Sequence, residues 1–315
     1  MEKKEKKQAA VIGYPISHSL SPKLHNYWLN KYAILGEYKS YEVKPEELED
    51  FILSLSDRNL SGINITVPHK ERTYEILKAK GKLTDIALKT EAVNTVYYEE
   101  GNLVGTNTDY SGFKNSFLNQ VKNAKLENKK ILIIGAGGAA KAIIAGLLEE
   151  KENKIIIINR TTEKAENLAK KVKKTRTQEP PTKVDGLIDV IKPDESGGIN
   201  RFTENKEKIE IGNLDNLEEK IEESDIIVNT TSCGLNGKHN LEIDFTKIKT
   251  QKIFYDIVYK PLETKFLKDA KTHGHETVTG IGMLIYQAAP AFKHFFGKHP
   301  EADKELENYM LTRSR

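Results

Sequence analysis

The chain has 315 residues, 38% of them hydrophobic and 30% charged, which suits two domains with proper cores. A net charge of +3 is too small to argue for a nucleic-acid partner, and a single cysteine excludes an internal disulfide framework and suits a reducing compartment. No apolar run approaches the length of a membrane span, and the opening MEKKEKKQ has no apolar segment behind its charges, so it reads as a frayed tail rather than a signal peptide. The expectation is a cytoplasmic protein with no membrane contact.

In chain order, AAVIGYPI reads as a strand running into a turn, and a helix starts near Pro22, where proline is tolerated in a first turn. Tyr38 to Val43 is a second strand, and the helix from Pro45 sets Leu48, Phe51, Ile52 and Leu55 on one face. GINITV, Gly62 to Val67, is a third strand, broken by Pro68 and followed by a helix from near Lys70. AVNTVYYEEGNLVGTNTD reads as two strands around a turn at Glu100 to Asn102, and a helix from Tyr110 leads onward. This alternation predicts an α/β sheet of its own.

The stretch ILIIGAGGAAKAII, Ile131 to Ile144, has the form of a dinucleotide site. Four branched apolar residues make a buried strand, and Gly135, Gly137 and Ala140 follow at the spacing GxGxxA. That spacing allows a tight turn, close approach of a pyrophosphate and close packing of the next helix. The uncapped amides and dipole of the helix N-terminus favour the anion without a basic side chain. The run IIII at Ile155 to Ile158 supplies the next strand, and at its end stand Asn159, Arg160 and Thr161 rather than an acid. A carboxylate there would serve NAD by binding ribose hydroxyls, whereas an arginine pairs with a 2'-phosphate, so the sequence points to NADP.

A helix over Thr162 to Val172 follows, and then the periodicity fails: Lys173 to Lys208 reads as a charged insertion, with one short element at VDGLIDVI. Order resumes with IEI near Ile211, a helix at Leu217 to Glu223, the strands DIIVNTT and KIFYDIVY, a helix at Thr264 to His273 and a last strand near ETVTG. The whole predicts a doubly wound domain. His273 and His275 flank Gly274 as a turn would, so no metal is expected, and Cys233 reads as a small buried thiol.

SHSLSP, NITVPHK and NTD are unusually polar for strand ends, where ligands of open α/β sheets collect. Ser19, Ser21, Asn64, Thr66 and Asn94 suit a polyhydroxylated substrate. Lys70 can pair with a carboxylate or donate a proton, with Asp109 able to hold it.

HSLSP, NITVPHK, AVNT, GTNTD, GAGGAAKA, NRT, DIVYKP and GIGMLIYQAAPAF together resemble, in order and spacing, the shikimate dehydrogenase family, over nearly all the chain except the tail and the insertion. The resemblance implies an α/β substrate domain over residues 1–112, completed by a helical segment at 283–315. It implies a Rossmann NADP-binding domain over 113–282 with the insertion at about 173–208. The implied activity is reversible NADPH-dependent reduction of 3-dehydroshikimate to shikimate on the route to aromatic amino acids, by a monomer or homodimer. The rivals are a quinate or shikimate dehydrogenase using NAD and a non-catalytic NADP-binding sensor.

Carried over by motif, the resemblance implies Lys70 and Asp109 as catalytic residues and a substrate pocket of Ser19, Ser21, Asn64, Thr66, Asn94, Tyr259 and Gln287. It implies a cofactor site of Gly135, Ala136, Gly137, Gly138 and Ala139, a 2'-phosphate clamp of Asn159, Arg160 and Thr161, with Ile257 and Gly280 near the nicotinamide and Asp85 as a weaker contact. Glu91, where a small residue is common, and Thr230, in place of an alanine, depart from the pattern. The domains are expected to close by rotation about Tyr110 to Phe113 and Gly280 to Met283, with the insertion outside the cleft.

Overall fold

A computed structural model describes residues 6–177 and 208–312, with side chains through 173 in the first stretch. Two six-stranded sheets form its frame. In the first, β1 (Lys7–Gly13) lies between β2 (Gly36–Glu42) and β3 (Gly62–Ile65), parallel to both. β5 (Thr95–Glu99) and β6 (Asn102–Thr106) continue it as an antiparallel hairpin, and β4 (Lys82–Leu83) closes the edge. The helices around it are α1 (Ser21–Lys31), α2 (Leu48–Leu53), α3 (Lys70–Lys80) and α4 (Asp85–Thr90).

The second sheet is wholly parallel. β7 (Lys130–Ile134) and β10 (Ile226–Asn229) are neighbours at its centre; β8 (Lys154–Ile158) and β9 (Ile209–Gly212) extend one side, β11 (Ile253–Asp256) and β12 (Glu276–Val278) the other. The order reverses between β7 and β10, which opens a crevice beyond their carboxyl ends. Its helices are α6 (Gly138–Leu147), α7 (Thr162–Thr177), α8 (Leu217–Glu222) and α9 (Lys265–Thr272).

Two helices join the sheets by exchange. α5 (Asp109–Gln120) starts at the end of β6 but puts Phe113 and Phe117 into the core of the second sheet, beside Tyr255. α10 (Gly280–Phe296) starts beyond β12 and puts Ile285, Phe292 and Phe295 into the core of the first, beside Leu24 and Trp28. They cross at glycines. A Cβ on Gly112 would stand 2.8 Å from Gln287 Cβ, and one on Gly282 would stand 2.4 Å from Ser116 Oγ. The chain therefore passes between the sheets inside packed helices rather than loops, and residues 112 and 282 both lie within them.

The elements follow the sequence pattern except where that pattern is weak. Thr66 and Val67 leave the sheet before Pro68, so β3 ends at Ile65. α7 runs to Thr177 rather than Val172, because Lys173, Lys174 and Arg176 are good helix formers even without an apolar stripe. β4 and α4 had no readable period, being two and six residues long. α11 (Lys304–Leu311) also had no reading of its own. It packs Leu306 and Met310 against α1, tied by Trp28 Nε1 donating to the Glu301 carbonyl at 3.2 Å and by Lys31 to Asp303 at 2.5 Å. The stretch VDGLIDVI and nearly all the insertion lie outside the described residues, as do residues 1–5 of the tail.

Candidate active site

The carboxyl ends of the two sheets face one cleft of about 570 Å³, walled by Val67, Pro68, Lys70 and Glu71 on one side and by residues 136–139, Lys141, Lys164 and Lys171 on the other. Lys70 begins α3, just after His69, whose buried ring is fixed by its Nε2 at 2.7 Å from the Val43 carbonyl. Asp109 begins α5 and is wholly buried, its backbone N–H donating to Asn107 Oδ1 at 2.9 Å. Two helix starts thus aim their first side chains at each other, and Lys70 Nζ donates to Asp109 Oδ1 at 2.9 Å and Oδ2 at 2.7 Å. The carboxylate is buried, and the Lys70 ammonium is its ion-pair partner.

Around this pair the polar groups bind one another. Asn94 Nδ2 donates to Asp109 Oδ1 at 2.9 Å and to Gln287 Oε1 at 3.2 Å, while Asn94 Oδ1 accepts from the Thr108 N–H at 3.0 Å. Asn64 Nδ2 donates to the Asn94 carbonyl at 3.3 Å and to Thr95 Oγ1 at 3.0 Å. Lys70, Asp109, Asn94, Asn64 and Gln287 therefore form one network. Asp109 Oδ2 accepts only from Lys70 among these bonds, and Lys70 has a third N–H, so each retains capacity for a ligand.

Ser19, Ser21 and Tyr259 gather at a second point. Ser21 N–H donates to Ser19 Oγ at 3.3 Å, and Tyr259, carried in from the loop after β11, meets the N–H of Leu20 with its hydroxyl. Burial raises the pKa of that hydroxyl, so it stays a phenol. Thr66 lies at the end of β3 with its N–H on the Ile12 carbonyl and its methyl packed over Gly13.

On the other wall, the expected loop is backbone. Gly135 has φ +117°, and a Cβ there would lie 2.5 Å from Thr230 Oγ1, so the position requires glycine. Thr230 is itself tied to the Ile134 carbonyl at 2.8 Å, which accounts for a threonine in place of alanine. A Cβ on Gly137 would meet nothing within 4 Å, and Gly137 caps α6 with no side chain on its free amides. An open, uncapped helix start of ten residues is what a pyrophosphate fits. Asn159 Nδ2 donates to the Thr161 carbonyl at 2.9 Å, shaping the turn that leaves Arg160 exposed. Asp85 is exposed at the start of α4. Gly280 is buried against Ile257, whose carbonyl oxygen a Cβ would approach to 2.4 Å. Cys233 is half-buried rather than buried, in the loop after β10 beside the exposed Ser232.

Three site features had weak or no sequence signal. Thr95 and Thr108 stand inside the quoted motifs but nothing marks them apart. Lys141 is a lone charge on the apolar helix α6, and that is a signal that could have been read. Its side chain is 6% exposed and reaches across the cleft to Glu71 at 3.3 Å and Glu91 at 3.9 Å. Burial lowers its pKa. Glu91 also meets Lys171 at 3.7 Å, and it sits at φ +45° just after α4, a backbone setting that favours glycine.

Residues 11–96 match a family described as shikimate dehydrogenase substrate binding domain, residues 118–191 one described as shikimate / quinate 5-dehydrogenase, and residues 280–304 a shikimate 5'-dehydrogenase C-terminal domain. The chain is 38% identical to a shikimate dehydrogenase (NADP(+)) of Bartonella quintana over 96% of its own length and 92% of that protein's. Against the protein of that name from Pelagibacter ubique the figures are 37%, 97% and 99%. Its fold is similar to a solved shikimate dehydrogenase in complex with NADP+, with a TM-score of 0.79 and 32% identity over 97% of this chain and 95% of that one. It is also similar to the Thermus thermophilus enzyme in complex with NADP(H) and shikimate, with a TM-score of 0.75 and 28% identity over 96% and 98%.

Proposed function

The chain belongs to the shikimate dehydrogenase family, and we propose that it catalyses the reversible NADP-dependent interconversion of 3-dehydroshikimate and shikimate. The observation that carries this reading is the Lys70–Asp109 pair facing the mouth of the glycine loop: a Cβ on Gly138 would lie 3.3 Å from Lys70 Cβ. NADPH, when bound, supplies the hydride that the ketone carbon takes up. Lys70 gives its third N–H proton to the ketone oxygen as charge develops there, and takes it back in the reverse direction. Asp109 holds the ammonium in line and uses Oδ2 to accept a substrate hydroxyl. Asn94, Asn64, Thr66, Ser19, Ser21, Tyr259 and Gln287 bind and orient the ring and its carboxylate.

The start of α6 and residues 135–139 would hold the pyrophosphate, Asn159 to Thr161 the 2'-phosphate, and Ile257 and Gly280 the nicotinamide end, with Asp85 at the margin. The substrate domain spans 1–112 with 283–315, and the cofactor domain 113–282, the boundaries falling within α5 and α10. The small-molecule reaction suits a cytoplasmic protein, monomer or homodimer; among the described residues no helix is long and apolar enough to cross a membrane.

The test is spectrophotometric: shikimate oxidation followed with NADP and NAD in parallel. Reduction of NADP with a clear preference over NAD is the expected result. Preference for NAD would favour the quinate or shikimate rival, and shikimate binding with no cofactor reduction would turn the reading into that of a sensor.

A further inference from the structure

Tyr38 takes no part in the chemistry above, yet its hydroxyl ends a series of buried contacts at the site. The residue lies in β2 at 2% exposure, and one side chain holds both its backbone groups: Asn26 Nδ2 donates to its carbonyl at 2.8 Å and its N–H donates to Asn26 Oδ1 at 3.0 Å. Its ring is stacked on His25 with centroids 3.9 Å apart and planes 4° from parallel, and Phe295 stands at 6.4 Å. His25 is wholly buried, and neither ring nitrogen has a hydrogen-bond partner among the described residues. Burial lowers its pKa to about 3, so the ring is neutral and serves as a flat face. With backbone and ring fixed, the phenol points its O–H at Asn64 Oδ1, 2.6 Å away.

A primary amide has two N–H donors and two carbonyl lone pairs. Asn64 gives both donors to Asn94 and Thr95, and Tyr38 takes one lone pair. What is left for a ligand is the second lone pair of Oδ1. An amide turned over would instead aim its N–H groups toward Tyr38 and the cleft, and would lose its donor bonds to the Asn94 carbonyl and Thr95 Oγ1.

We propose that Tyr38 is a positioning residue for the substrate: the Asn94 carbonyl and Thr95 Oγ1 set which way the Asn64 amide faces, and the Tyr38 hydroxyl holds its Oδ1 in place through one lone pair, so that Asn64 accepts from a substrate hydroxyl with the other and donates to none. The inference rests on the reading of Asn64 as a substrate contact. It has a specificity consequence, since a hydroxyl is welcome there and an ether or carbonyl oxygen would meet another acceptor. Burial raises the Tyr38 pKa well above that of a free phenol, which keeps the donor protonated.

The experiment compares Tyr38→Phe, Asn64→Ala and the double variant in the full chain, by steady-state kinetics and by calorimetric titration with shikimate. Phenylalanine keeps the stack on His25 and removes only the hydroxyl. Tyr38→Phe should raise the KM and Kd for shikimate about fivefold, leave kcat and the KM for NADP within about twofold, and add nothing on top of Asn64→Ala. Native shikimate affinity in Tyr38→Phe, with Asn64→Ala impaired, overturns the positioning role and leaves Asn64 as a contact. Native affinity in Asn64→Ala overturns both. Effects of the two substitutions that multiply, or a Tyr38→Phe enzyme losing kcat and both KM values together, would show Tyr38 to be only a packing residue.

Discussion

On the wall descending from the first sheet the cleft presents side chains, and on the wall from the second it presents backbone. Asp109, Asn94, Asn64 and Gln287 reach the first wall from α5, two strand ends and α10, and each is held by bonds to the others. The loop at Gly135 to Ala139 needs only one chain segment, a positive φ and an open helix start. The difference reflects the ligands each wall is suited to. A ring with several hydroxyls is told from its relatives by donors and acceptors at fixed points, whereas a pyrophosphate is met by any converging set of amides.

The largest effect should come from the side chain that passes the proton. Lys70→Ala should cut kcat by about 10²- to 10⁴-fold while changing the KM for shikimate much less, since its largest contribution arises as charge develops on oxygen. Steady-state kinetics over both substrates measure this, and turnover near the native rate would remove Lys70 from its role.

Next in size is an exception on the backbone-built side. Asp256 is buried at the end of β11, accepting from Asn229 Nδ2 at 3.0 Å, the Val258 N–H at 2.9 Å and Thr264 Oγ1 at 2.5 Å, and burial lifts its pKa from 3.8 to about 6. Below its unfolded pKa both states carry the proton. Between about pH 4 and 6 the unfolded chain releases it while the folded one keeps it, so stability falls as pH rises, by at most about 3 kcal/mol, and stays lowered above pH 6. The neutral amide of an Asp256→Asn variant keeps a carbonyl acceptor and can donate to Thr264. Urea unfolding should therefore show the variant gaining on the native chain as pH rises through that window. Parallel profiles would mean that the carboxyl is not strained by burial.

The contrast between the walls also decides what could be read without a structure. The glycine spacing and the apolar strands around it state a backbone device in local terms, so the dinucleotide strand, its helix and the doubly wound order were legible. The other wall depends on contacts between residues far apart in sequence. Asn94 meets Gln287 across 193 positions, and no spacing announces that. Asn64, Asn94, Lys70 and Asp109 could be picked out as polar groups at strand ends, but Gln287 and Tyr259 became visible only as members of a family pattern. Tyr38 stayed hidden, because a tyrosine in a half-buried strand is ordinary and its role lies in a hydroxyl aimed 26 residues along the chain. The two crossings were placed from the sequence, near Tyr110 to Phe113 and Gly280 to Met283, but their packing was hidden, since Gly112 and Gly282 look like any helix glycine until the two helices are seen to touch.

A matched pair of substitutions can break the claim that the second wall is backbone. Gly135→Ala places a Cβ at φ +117° and 2.5 Å from Thr230 Oγ1, and should lower stability by about 1–3 kcal/mol. Gly137→Ala has open space around the new methyl, so its melting temperature should hold while the KM for NADP rises about tenfold, the methyl standing where the pyrophosphate would lie. If Gly137→Ala binds NADP as tightly as the native chain, the phosphates do not pass over that glycine.

The smallest effect expected sharpens the comparison at the point where the backbone wall does use a charge. Arg160 is exposed beyond β8, in a turn shaped by Asn159 and Thr161, and it carries the assignment of NADP over NAD. A pair of charge-assisted bonds from a guanidinium to a phosphate at a solvent-facing site is worth about 1–2 kcal/mol, so Arg160→Ala should raise the KM for NADP about tenfold. The KM for NAD should barely move, because NAD has no 2'-phosphate for the guanidinium to meet. Lys164, in the first turn of α7 and lining the cleft, offers a second cation near that turn, so the double variant should lose more selectivity than Arg160→Ala alone. Equal losses for NADP and NAD in Arg160→Ala would show that the arginine shapes the turn rather than reading the phosphate, and the choice of cofactor would then belong to the lysines of α7.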